Sequence, residues 1–142
     1  MRIFLTGASS GLGEALARHY ATPETVLGLV ARRAELLDAL ARSLPGTCAV
    51  YALDVADTEA LARAAADFLA RFGVPDLVIA NAGISVGTSA EDIDDAEKLL
   101  RILRVNVLGL SATLATFAPT VAIWVNAPPL TSQIFPASGC SR

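Results

Sequence analysis

Histidine, lysine, tyrosine and cysteine are scarce in this chain, and each scarcity excludes some chemistry. His19 is the only histidine and Lys98 the only lysine; tyrosine stands at Tyr20 and Tyr51, cysteine at Cys48 and Cys140. A Cys/His metal centre needs several such ligands at short spacing, so none is expected. Two cysteines make no disulfide framework, and a reduced, cytoplasmic compartment is the expectation. Cys48, between Thr47 and Ala49, reads as a small buried strand residue. Positive charge is thin as well. The net charge is −3 with no Lys/Arg cluster, which argues against nucleic acid as a partner.

Charge of either sign is missing from 105–141. Within that stretch, 107–125 is long enough to cross a bilayer if read alone. Ser111, Thr113, Thr116, Pro119 and Thr120 make it only moderately apolar, and the sequence favours a helix buried at an interface followed by a core strand. At the amino terminus, only three apolar residues follow Met1-Arg2 before a polar loop, so no secretory leader is expected.

Apolar side chains are plentiful. They make up 54% of 142 residues, enough for one domain with a real core. Short apolar runs at 3–5, 25–31, 48–53 and 76–80 read as buried strands. Between them lie helical patterns at 12–21 and 33–44, and a third that starts near Asp57 or Thr58 and ends at Phe72 before Gly73. The acidic stretch 91–95 suits the N-terminus of a further long helix, whose apolar positions are Leu99, Leu100, Leu103, Val107 and Leu110. Strand–helix alternation of this kind implies an α/β fold, a doubly wound Rossmann-type parallel sheet with helices on both faces. Residues 1–120 form the expected folded domain, and 121–142 a possible fifth strand (121–125) with an irregular, Pro-rich tail.

Chemistry concentrates between the first strand and the first helix, in Thr6-Gly7-Ala8-Ser9-Ser10-Gly11-Leu12-Gly13. Glycines there permit a tight turn, let a backbone approach phosphates closely, and bare the N–H groups of a helix N-terminus. Ser9 and Ser10 add hydroxyls to the same cradle. The spacing is Thr-Gly-x-x-x-Gly-x-Gly. Further along, in order, stand Asp54-Val55 after the third strand, Asn81-Ala82-Gly83 closing the fourth, and Asn106 in the long helix.

With these four motifs the chain closely resembles the short-chain dehydrogenase/reductase family. The resemblance implies a nicotinamide dinucleotide held by Gly7, Ser9, Ser10, Gly11, Leu12 and Gly13. It places Asp54 and Val55 near the adenine, and lines the site with Asn81, Ala82 and Gly83. It implies hydride transfer between the nicotinamide and a carbonyl or alcohol substrate, with Asn106 as the helix asparagine of the catalytic set, and homo-oligomers in the full-length family. After the second strand, where an NAD site places a carboxylate, stand Arg32 and Arg33, so NADP is expected over NAD. The bland alternative is a pair of solvated arginines opening a helix.

The family's general acid/base is a Tyr with a Lys four residues on. No Tyr-x-x-x-Lys occurs in these 142 residues, and Val125-Asn126-Ala127 stands where a catalytic Ser is sought. The resemblance fades between Phe117 and Val125. The chain therefore reads as an N-terminal portion of such an enzyme, incomplete on the C-terminal side of its sheet. A frameshift, altered splice or mispredicted frame would explain the tail. Its expected behaviour is cofactor binding without catalysis. A non-catalytic module pairing with a full-length relative is the alternative, and a membrane-associated product a third.

Overall fold

The computed structural model describes residues 1–87 and 95–118. In chain order it runs β1 (Arg2–Thr6), α1 (Gly11–Tyr20), β2 (Val26–Ala31), α2 (Ala34–Ser43), β3 (Thr47–Ala52), α3 (Thr58–Phe72) and β4 (Leu77–Ala80). A helical rod follows: α4 (Asp95–Leu103), a π-helical segment (Arg104–Gly109) and α5 (Leu110–Phe117). The strands are all parallel, in the order β3-β2-β1-β4.

Strand alternation divides the core into two layers, because successive side chains point to opposite faces. Ile3, Leu5, Leu27 and Leu29 face α1 and α2, where they meet Ala17, Leu37 and Leu40. Phe4 and Val30 face the other way, against Leu61, Ala65 and Phe68 of α3 and Phe117 of α5. A sheet covered on both sides needs apolar residues at every position, which is why its central strands read as unbroken runs. Each fully buried Leu or Phe contributes about 1.5–3 kcal/mol.

Phe4 is the hub of the second layer. Its ring centroid lies 5.5 Å from Phe68, 4.8 Å from Phe117 and 5.9 Å from Tyr51. Gly28, its register partner on β2, leaves room for these rings: a Cβ there would stand 2.8 Å from both Phe4 and Phe68. At the start of α3, Asp57 accepts a hydrogen bond from the Ala60 N–H at 2.9 Å, and Gly73 ends the helix with φ 83°. These are the cap and stop that the sequence suggests.

One expectation needs correction. Cys48 is half-buried rather than buried, because β3 pairs only with β2 and is the sheet's edge. The apolar stripe of the rod stands open on the single chain. Leu99, Leu103 and Val107 are 52%, 45% and 53% exposed, and Leu100 and Leu110 are exposed too. The rod meets the sheet layer through Val105, Gly109, Thr113 and Phe117 instead. At 23 residues, 95–117 is one helix long and apolar enough to cross a membrane by length and composition. The suggested strand at 121–125 and the tail lie outside the described residues.

Candidate functional site: the cleft at the carboxyl ends of β1 and β4

The chain steps outward from β1 to β2 and β3, and the crossover after β3 then returns it past them to β4 on the other side of β1, so the strand order reverses between β1 and β4. Such a switch point opens a crevice in an α/β sheet. Here the crevice is a cleft of about 310 Å³. Gly7, Ser9, Ser10, Leu12 and Gly13 line it from the first loop, and Arg32 and Arg33 from the end of β2. Asp54 and Val55 line it after β3, and Asn81, Ala82 and Gly83 after β4. Gly11 alone of the expected cofactor residues is not part of the lining.

The loop owes its shape to Thr6, which the sequence reading left among the motif residues without a role. Its buried hydroxyl accepts the Asn81 and Ala82 N–H groups, each at 3.1 Å. Asn81 returns the tie, its Nδ2 donating to the Thr6 carbonyl at 3.2 Å and the Gly7 carbonyl at 3.4 Å. Two neighbouring strand ends are thereby bonded into one rigid wall. Gly7 has φ 72°, and a Cβ on it would press to 2.8 Å from the Ala82 Cα, so only glycine fits. Gly13 packs α1 directly onto the Gly7 carbonyl. A Cβ on Gly11, with φ 55°, would meet nothing within 4 Å, so open space lies above the start of α1.

The charged residues at the mouth differ in their partners. Arg33 Nη2 donates to Ser10 Oγ at 2.7 Å and to Ser9 Oγ at 3.1 Å. Arg32 turns toward Asp54, at 3.8 Å, an exposed pair worth at most about 1 kcal/mol. The other Asp54 oxygen accepts the Ala56 N–H at 3.0 Å and holds the turn after β3.

Asn106 sits in the π-helical segment with both ends of its amide engaged. Its Oδ1 accepts the Ile84 N–H at 2.8 Å and its Nδ2 donates to the Ile84 carbonyl at 2.9 Å. The side chain therefore fastens the loop after β4 to the rod, a positioning role. Gly109 does the same work for the loop after β3, since a Cβ on it would meet Val55 at 2.6 Å. Ile84 and Val105, absent from the expected site, complete the cleft's apolar wall.

The proton-carrying groups lie elsewhere. Tyr20 packs beneath the sheet with the α1 layer. Tyr51 donates to Asp67 at 2.8 Å on the outer side of α3; burial first, then the Asp67 carboxylate, hold its pKa above the ordinary range. Lys98 pairs with Asp95 at 3.0 Å. Among the described residues, no group of three or more His, Cys, Asp or Glu side chains is placed to hold a metal.

The family model of short chain dehydrogenases matches residues 1–124. The chain belongs to that family. It is 33% identical over 127 residues to dehydrogenase/reductase SDR family member 7B of Mus musculus, covering 84% of this chain and 39% of the relative. Among solved structures it is similar to a short-chain dehydrogenase from Streptomyces avermitilis (TM-score 0.73, 34% identity, 83% of this chain and 43% of that one). It is also similar to an alcohol dehydrogenase from the archaeon Thermococcus sibiricus, complexed with 5-hydroxy-NADP (TM-score 0.74, 32% identity, 84% and 52%). The chain spans less than half the length of the curated relatives it matches.

Short-chain dehydrogenases bind nicotinamide dinucleotides, and the residues of this cleft fit one. The open space over Gly11 admits a diphosphate to the N-terminus of α1, where the first N–H groups have no partner within the helix.

Proposed function

We propose that this short-chain dehydrogenase chain holds NADP in preference to NAD, as the dinucleotide-binding part of an oxidoreductase acting on a carbonyl or alcohol compound. One observation carries the preference: Arg33 stands at the mouth of the cleft with no carboxylate partner among the described residues. A carboxylate at that place would hydrogen-bond a ribose 2′-hydroxyl and repel a phosphate, whereas a guanidinium attracts the phosphate. The Thermococcus sibiricus relative, solved with an NADP derivative, supports the same reading.

The bound dinucleotide supplies the hydride. The chain's own residues supply the seat: Gly7, Gly11, Leu12 and Gly13 for the diphosphate, Arg32 and Asp54 with Val55 for the adenosine, and Asn81, Ala82 and Gly83 for the wall toward the nicotinamide. Ser9 and Ser10 stand with Arg33 at the 2′ position. Asn106, the helix asparagine of the catalytic set, also holds the loop after β4 in place through its two bonds to Ile84. The 142 residues carry no Tyr-x-x-x-Lys, Tyr20 and Tyr51 lie outside the cleft lining, and Lys98 is paired with Asp95. A polypeptide of these residues therefore binds without turning over; loss of a general acid/base alone forfeits about 10²- to 10⁴-fold in rate. Equal dissociation constants for NADPH and NADH would remove the cofactor preference. Measurable NADPH oxidation by the chain with a panel of ketones and aldehydes would remove the non-catalytic reading.

The second reading, an interaction module, has its own observation in the exposed leucines of the rod. Leu99, Leu103, Val107 and Leu110 form an apolar face suited to a second copy or a full-length relative. A stable monomer by light scattering counts against it. We read the rod as a packing helix in a cytoplasmic protein because Val105, Thr113 and Phe117 anchor it to the sheet layer. Retention of the chain in carbonate-washed membranes would overturn that.

A further inference from the structure

The rod backs onto the turn after β3 at a contact that only glycine allows. Val105 and Gly109 are the buried residues of its π-helical segment. A Cβ on Gly109 would stand 2.6 Å from Val55 Cγ2, 3.1 Å from Val55 Cβ and 3.4 Å from the Val55 carbonyl oxygen. Val55 is itself buried, and it lines the cleft beside Asp54. The two sides of this contact are held unequally. On the rod, Thr113 donates to the Gly109 carbonyl at 2.7 Å, Asn106 bonds Ile84 twice, and Phe117 is buried against Phe4. The turn is held by Asp54, whose carbonyl accepts the Asp57 N–H at 2.9 Å and whose carboxylate accepts the Ala56 N–H at 3.0 Å. A side chain added at 109 therefore displaces the turn rather than the rod.

We infer that Gly109 is a positioning residue for the adenosine half of the dinucleotide, acting through Val55. The inference rests on the dinucleotide reading above. Gly109 does not line the cleft, so its effect on a ligand passes through the turn. Close-packed contacts respond to a single added methyl group, because the neighbours must shift or strain to admit it. A shift here moves Val55 and Asp54, the surface against which adenosine packs, while the glycine loop and Arg33 keep their places. A bound nucleotide must press the turn back against the methyl, and that strain subtracts from its affinity. The loss falls on the adenosine part of any ligand. A whole dinucleotide and an adenine mononucleotide should therefore lose alike.

The test is the affinity of the 142-residue chain for NADPH, read by nicotinamide fluorescence, and for AMP, read by competition against NADPH. Gly109→Ala is expected to raise both dissociation constants by the same factor, about fivefold to a hundredfold, the scale of overpacking a close contact. Val55→Ala removes the Cγ atoms that the new methyl meets. Combined with Gly109→Ala, it is expected to return both constants to those of Val55→Ala alone. Thermal unfolding reports whether each variant folds; should Gly109→Ala fail, the double variant against Val55→Ala carries the test, with equal AMP affinities expected. Unchanged constants in folded Gly109→Ala overturn the inference alone. So does a loss for NADPH without one for AMP, or weaker AMP binding by the double variant than by Val55→Ala. NADPH binding by the wild-type chain with no competition from AMP removes adenosine from this turn and overturns the inference. Binding of neither NADPH nor AMP overturns the dinucleotide reading and this inference together.

Discussion

The glycine-loop half of the molecule and the helical rod are built to opposite standards of closure. Around the loop, Thr6, Asn81 and Ala82 satisfy one another's polar groups, and the central strands β1 and β2 are buried on both faces. Along the rod, the side chains that look most like core in the sequence are the ones in solvent. The first region is stable by what it contains. The second leaves its apolar face exposed. A substitution should therefore be costly in the first and cheap in the second, and the difference can be measured.

The largest effect is expected from Phe4→Ala. Phe4 is fully buried among Tyr51, Phe68 and Phe117, and its removal should cost about 3–5 kcal/mol in denaturant unfolding. Thr6→Val follows. It keeps the shape but strips the acceptor from two N–H groups, and about 2–4 kcal/mol is expected, with weakened dinucleotide binding in the same titration. Asn106→Ala leaves the Ile84 N–H and carbonyl unpaired, for about 1–3 kcal/mol; Asn106→Asp should recover little, since it can accept but not donate. Leu103→Ala should stay within about 0.5 kcal/mol in a dilute sample. A loss as large as that of Phe4→Ala would erase the contrast between the two regions.

The smallest effect is electrostatic. Arg2 bonds Asp76 through its guanidinium and its backbone N–H and holds that carboxyl below its ordinary range; Tyr51 and then Arg71 do the same for Asp67. Depressed folded-state values mean that this stability is present above pH 4 and is lost as pH falls through the lowered values. Tyr51 has the opposite sign: its raised value gives stability present below pH 10 and lost above it. Burial pushes the Cys48 thiol up from 9.0 with the same sign as Tyr51, so melting temperature against pH should be flat from about pH 4 to about pH 9. Asp76→Asn should blunt the acid limb and Tyr51→Phe the alkaline one.

Much of this was legible in the residues themselves. Strand runs and helical spacing locate the four strands and the first three helices to within a residue or two, because a doubly covered parallel sheet leaves its central strands few polar positions. The glycine spacing locates the cleft, because few backbones need Gly7, Gly11 and Gly13 at once. What stayed hidden was pairwise. Periodicity marks a rod's apolar stripe but not which side meets the sheet, and the π-helical segment at Arg104–Gly109 shifts the faces after it. Thr6 carried no signal of its own, since its role depends on two N–H groups seventy-five and seventy-six positions along the chain. Cys48 reads as buried until the strand order puts β3 at an edge.

Hydrogen exchange of the 142-residue chain with and without NADPH tests the central claim most directly, because it reports where a ligand acts. The account predicts added protection in segments covering 7–13, 31–33, 54–55 and 81–84, and no change over 99–103. Protection absent from 7–13, or confined to the rod, would contradict it.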